Sequence, residues 1–159
     1  MKKIALLVAA VIGLAACLPP LPKVPTLGNI RLPLVAQEEM WAAQDYEGKP
    51  VLMVFMGSWC PWCKRTIPAI NAIAAQYGDQ VEIVGAFMDG TSKPVEEVIK
   101  EHQLQATALY DAGEFAETLG VSGVPHSILF DKKHRAIKMW EGYNPNFKEE
   151  FEQQIKRAL

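Results

Sequence analysis

Cysteine is scarce in this chain: 159 residues carry three, Cys17, Cys60 and Cys63. That is too few for a small fold stapled by several disulfides. There is one CxxC pair, and the three histidines, His102, His126 and His134, form no H-x₃₋₅-H pair. A structural zinc site, which needs four such ligands, therefore has no evident source. Positive charge is not in excess. The formal net charge of −2 argues against a general nucleic-acid binder. The apolar run at the start, Ile4 to Ala16, has thirteen residues, too few for a permanent membrane-spanning helix. No internal repeat or single-residue tract is visible. What remains is an ordinary globular composition, half hydrophobic and about a fifth charged, long enough for one domain with a real core.

The first residues read as an export signal: Lys2 and Lys3, then the uncharged run, then Leu14-Ala15-Ala16 before Cys17. "LAAC" resembles the lipobox of bacterial lipoproteins. The resemblance implies a signal peptide at 1–16 and an acylated Cys17 as the first mature residue; simple cleavage near Ala16 is the alternative. Acylation would leave Cys60 and Cys63 as an even pair. Residues 17–33 form a linker in this reading. Five of the sixteen residues from Leu18 to Pro33 are proline, a composition that favours extended backbone and is expected not to pack a core. At about 3.1 Å per residue, such a spacer holds a domain up to roughly 50 Å from a bilayer. The folded domain is expected at 34–159.

Val51 to Met56 is six apolar residues in a row and predicts a strand buried on both faces. From Pro61 the period changes. Ile67, Ile70, Ala74 and Tyr77 share a helical stripe, with Pro68 inside it and Gly78 at its end. Val81 to Met88 is a second buried strand, so strand, helix and strand make a parallel βαβ unit. A helix over Pro94–His102, a short strand over Thr107–Tyr110 and a short helix over Glu114–Leu119 follow. Ser127–Phe130 and Ala136–Trp140 predict an antiparallel hairpin. Phe147, Phe151, Ile155 and Leu159 mark a terminal amphipathic helix. The fold class is an α/β sandwich with a mixed central sheet, parallel first and antiparallel at the end, flanked by helices.

Trp59-Cys60-Pro61-Trp62-Cys63 lies between the first buried strand and its helix. A disulfide closing so small a loop stabilises little, so a purely structural bridge is the weaker use of it. Redox use suits the position. A Cys60 at the helix N-cap faces unpaired amide groups and the positive end of the helix dipole, which favour the thiolate that attacks disulfides. Pro61 fits the first helical position, which needs no amide hydrogen. Bringing a thiol from a pKa of about 8.5 to about 7 takes about 2 kcal/mol, and a helix terminus usually supplies about 0.3–1 kcal/mol. A hydrogen bond from the Cys63 thiol is expected to supply the rest. Cys60 is then the attacking sulfur and Cys63 the resolving one. Trp59 and Trp62 shield the pair and offer apolar surface to partners, with ordinary packing as the other use of Trp59.

With these residues in place, the chain resembles the thioredoxin superfamily, and within it the TlpA/ResA-like exported thiol-disulfide oxidoreductases. The resemblance rests on the strand-"WCPWC"-helix, on Pro68, and on Gly120-Val121-Ser122-Gly123-Val124-Pro125. It spans residues 34–159. It implies a thioredoxin-like sandwich, a cis Pro125 facing the cysteines, and a Val124 backbone that pairs with a bound client strand, with His126 beside it. It implies protein-disulfide exchange, as a reductase, in the cell envelope and on the periplasmic or extracytoplasmic side. It also implies a membrane thiol donor of the DsbD or CcdA type and exported clients such as apocytochrome c. No cofactor or metal is expected. Three departures stand out: Val54 where thioredoxins carry a buried acid, Thr66 where ResA-like members carry glutamate, and His126 in place of threonine. No proton acceptor for Cys63 is thereby assigned. Two other uses stay open: a copper-binding assembly protein with Cys60, Cys63 and His126 as ligands, and a thiol peroxidase, although Gly57 stands where peroxiredoxins place threonine.

Overall fold

A run of six apolar residues leaves a strand no face for water, and Val51–Met56 (β3) is buried along its whole length. The computed structural model describes residues 24–35 and 37–159; the expected signal peptide, Cys17 and the first part of the proline-rich stretch lie outside them. In chain order the other elements are β1 (Arg31–Pro33), β2 (Met40–Ala42), α1 (Pro61–Tyr77), β4 (Glu82–Phe87), α2 (Ser92–His102), β5 (Thr107–Leu109), α3 (Gly113–Thr118), β6 (His126–Phe130), β7 (Ala136–Glu141) and α4 (Phe147–Ala158). β3 is the centre of a five-stranded sheet ordered β5-β4-β3-β6-β7. It runs parallel to β4 and antiparallel to β6, and β6 is antiparallel to β7. The expected mixed sandwich, with its βαβ start and hairpin end, is the fold observed.

Strand alternation sorts the core into two layers. Leu52, Val54 and Met56 of β3 pack with Cys63, Ile67 and Ile70 of α1, Val95 and Val98 of α2, and Phe147 and Phe151 of α4. Val51, Met53 and Phe55 face the other way, against Phe115 and Ala116 of α3 and against Leu27, Leu32 and Trp41. Pro68 stands inside α1, which continues past it to Tyr77.

The last named residues correct the domain boundary. Composition placed residues 17–33 in an unpacked linker, yet Leu27 and Leu32 are buried and β1 pairs with β2. Three-residue strands are too short to show a period, and each contributes only one or two buried side chains. Residues 24–28 are also pinned. Leu27 N–H donates to His134 O (3.1 Å), and Ala136 N–H donates to Pro25 O (2.8 Å). These bonds lie at the β6–β7 turn, the end of the sheet away from the C-terminus of β3. His134 is consequently buried, its Nε2 3.1 Å from Tyr46 O.

The same end of the sheet holds a buried carboxylate. Glu82 accepts hydrogen bonds from Trp41 Nε1 (3.3 Å) and Thr107 Oγ1 (2.9 Å). Burial pushes its pKa above the usual glutamate value, against the pull of those bonds and of Lys49. The folded state therefore holds this proton more tightly than the unfolded chain. Stability from this group is full below the ordinary glutamate pKa and declines as pH rises through the raised one. Urea midpoints at pH 5 and pH 8 should show the difference between Glu82→Gln and the parent moving in the variant's favour at the higher pH.

Candidate active site

The site forms where β3 ends and α1 begins. Gly57, Ser58 and Trp59 carry the chain around, and Cys60 takes the N-cap with extended backbone (φ −91°, ψ 108°) and Pro61 behind it. A Cβ at Gly57 would lie 2.7 Å from the Trp59 ring, so the missing side chain is what lets that ring rest on the turn. Cys60 and Cys63 are joined by a disulfide, with Cα atoms 5.3 Å apart. Cys60 is 7% exposed and Cys63 fully buried, which makes Cys60 the accessible sulfur. The Cys63 backbone N–H donates to Cys60 Sγ at 3.1 Å. That amide is one of the unpaired helix-start donors expected to face a Cys60 thiolate.

The turn before Cys60 is held from the neighbouring strand. Asp89, just beyond the end of β4, accepts the Ser58 N–H at 2.9 Å and the Ser58 hydroxyl at 2.5 Å. Because β3 and β4 are parallel and in register, the residues after each strand emerge side by side. Sequence reasoning missed Asp89. The available signal was an acid just beyond the second strand of a parallel pair.

Across from the helix end, the Val124–Pro125 peptide is cis. Val124 O lies 3.7 Å from Cys60 Sγ. Pro125 O accepts from Gly142 N–H at 2.8 Å, tying this loop to the end of β7. Trp62, Val124, Pro125, Gly142 and Tyr143 line a groove of about 350 Å³ beside the disulfide. Trp62 packs on Tyr143 with ring centroids 5.4 Å apart, and the Arg65 guanidinium sits 4.6 Å from the Trp62 ring. Trp59 is 61% and Trp62 51% exposed, a large apolar surface for two residues flanking a reactive sulfur.

His126 is not brought to the cysteines. It shares a face of β6 with Ile128 and Phe130, which pack in the α3 layer, whereas Cys63 lies in the α1 layer. Burial holds its pKa below the ordinary histidine value, opposed by the charge of Glu141, so at neutral pH the ring is uncharged. Among the described residues no group of three or more His, Cys, Asp or Glu side chains is placed to hold a metal. The copper alternative, which needed His126 with both cysteines, finds no support in this geometry. At the two positions where an acid was sought, Val54 is packed in the core, and Thr66 spends its hydroxyl on Trp62 O at 3.0 Å.

A mixed sheet with a CxxC disulfide capping the first helix and a cis-proline carbonyl region opposite it defines a thioredoxin-fold dithiol protein. Comparison with known proteins narrows the class. A Redoxin family profile matches residues 23–155, and the chain belongs to that family. It is 32% identical over 116 residues to the thiol-disulfide oxidoreductase ResA of Bacillus thuringiensis subsp. konkukian, covering 72% of this chain and 66% of the relative. The chain thus spans just under two thirds of the ResA relatives it first matches. The structure superimposes with a TM-score of 0.77 on a DsbE-type thiol:disulfide interchange protein from Chlorobium tepidum, 25% identical, covering 86% of this chain and 96% of that one. It superimposes with a TM-score of 0.71 on the exposed lipoprotein thioredoxin Etrx1 of Streptococcus pneumoniae, 25% identical, covering 81% and 98%.

Proposed function

We propose that this chain is a thiol-disulfide oxidoreductase, acting as a reductase on exported proteins and tethered to a membrane through an acylated Cys17. The observation that carries the activity is the Cys60–Cys63 disulfide, one sulfur accessible and one buried, at a helix N-terminus beside the Val124 carbonyl. In the reduced form the Cys60 thiolate attacks one sulfur of a client disulfide. The client S–S bond breaks, and its second sulfur leaves as a thiolate that takes a proton from water. The Cys63 thiolate then attacks Cys60 Sγ, the bond to the client breaks, and the client departs with two thiols. Two electrons have moved to the client, and Cys60–Cys63 is again a disulfide. A membrane dithiol donor of the DsbD or CcdA type reverses that state.

Support for the envelope setting comes from the export-type start of the sequence and from the likeness to a lipoprotein thioredoxin. Among the described residues no helix is long and apolar enough to cross a membrane. The clients in this reading are disulfides of exported proteins, apocytochrome c among them, held across the Trp62–Tyr143 groove. The reduced protein should catalyse insulin reduction by dithiothreitol, and Cys60→Ser should return the rate to background. Cys17→Ala should move the protein from the membrane to the soluble fraction. Loss of the first result would overturn the activity; an unchanged fractionation would overturn the anchor.

A further inference from the structure

Ser127 is fully buried, and among the described residues its hydroxyl has no hydrogen-bond partner. Such a group costs stability and calls for an explanation. Its place suggests one. Ser127 pairs in register with Val54 on β3 and Trp140 on β7. Direct partners share a face, so Ser127 looks toward the α1 layer, where Val54, Trp140 and Cys63 are packed. It is the first residue of β6 on that face, three positions after Val124, whose carbonyl lies 3.7 Å from Cys60 Sγ. Val54 is the position at which an acid was sought, and Ser127 is its immediate neighbour on the next strand.

We infer that Ser127 Oγ is the polar partner of the Cys63 sulfur once the disulfide opens, donating its O–H to the Cys63 thiolate. This rests on the exchange reaction proposed above. A sulfur locked in a disulfide carries neither proton nor charge, and in that state the hydroxyl is left alone. Once Cys60 is bonded to a client, the Cys63 thiol gives its proton to solvent before it attacks; the buried thiolate so formed needs a donor, and Thr66 is already committed to Trp62 O. The resolving step is then balanced without an acid. Cys63 attacks Cys60 Sγ, the electron pair of the broken bond leaves on the client sulfur, and that sulfur is protonated by solvent. Ser127 keeps its own proton throughout and is a positioning residue. Other ionisable groups on the surrounding elements are engaged or turned away. Asp89 holds Ser58, Glu150 of α4 holds Trp140 and Asn144, and His126 and its neighbour Glu141 belong to the opposite face or the exterior. Lys64 is half-buried and Arg65 lies over Trp62.

The test uses the Cys60→Ser background, in which Cys63 is the one thiol of the pair, and follows thiolate absorbance against pH. Ser127→Ala should raise the Cys63 pKa by about one unit, equivalent to about a tenfold loss of thiolate near neutrality. With both cysteines present, it should slow release of a mixed disulfide by a similar factor, while the thermal midpoint stays the same or rises. Ser127→Thr, which keeps the hydroxyl, should restore the titration. An unchanged titration in a folded Ser127→Ala protein overturns the assignment. So does a fall in stability with no change in titration, which would make the hydroxyl structural. A parent protein inactive on insulin would instead sink the exchange reaction itself, while the Cys63 titration remains readable.

Discussion

A Cys63→Ser variant should accumulate client proteins as mixed disulfides on Cys60 and lose turnover to the uncatalysed background. The reason is the division of access between the two sulfurs. Cys60 is reachable at the helix mouth and can still attack, whereas the buried sulfur that would break the covalent adduct is gone. Non-reducing gels of an envelope extract should show adducts that vanish with dithiothreitol. The Cys60→Ser protein should show none, because Cys63 is fully buried and does not reach a client disulfide. Adducts on both variants, or on neither, would contradict the assigned roles.

Asp89→Ala should cost about 2–4 kcal/mol, the scale of two charge-assisted bonds removed from partly buried donors. Against a total stability of about 5–15 kcal/mol for a domain, this is a large share. The loss is not confined to stability. Ser58 is two residues before Cys60, and a turn freed of its clamp lets the N-cap sulfur drift from the amide that faces it. Exchange rate with insulin should fall even under conditions where the variant remains folded. Asp89→Asn keeps one acceptor for the Ser58 amide and should lose roughly half as much, read from denaturant midpoints.

Much of this was legible in the sequence because the relevant signals are strong and local. Val51–Met56 has no polar residue to place in water, so its central position follows from burial alone. The period change at Pro61 marks the helix that Cys60 caps. The hairpin strands and α4 carry their own alternation and four-residue spacing. The rest depends on who neighbours whom. Leu27 and Leu32 are single buried side chains in a segment whose prolines point to an open chain; only the α3 face of the sheet shows why they pack. Asp89 is one acid among eighteen acidic residues until parallel pairing sets it beside Ser58. His126 sits next to the proline loop in sequence, but strand alternation turns it away from the sulfurs. Ser127, unremarked beside it, is turned toward them. One residue of register decides which of the two can take part in the chemistry.

Residues 24–28, pinned to the β6–β7 turn, set an orientation for any lipid-held form. Six residues, Leu18 to Lys23, separate Cys17 from the first described position, a leash of at most about 25 Å. That is half the reach the proline content had suggested, and it fastens to the underside of the molecule. The reactive tip would therefore point outward, toward the aqueous compartment and away from the bilayer. Water-borne clients would then meet it directly. For such a form, a bilayer-embedded electron source would have to extend a projecting module over the top of this domain.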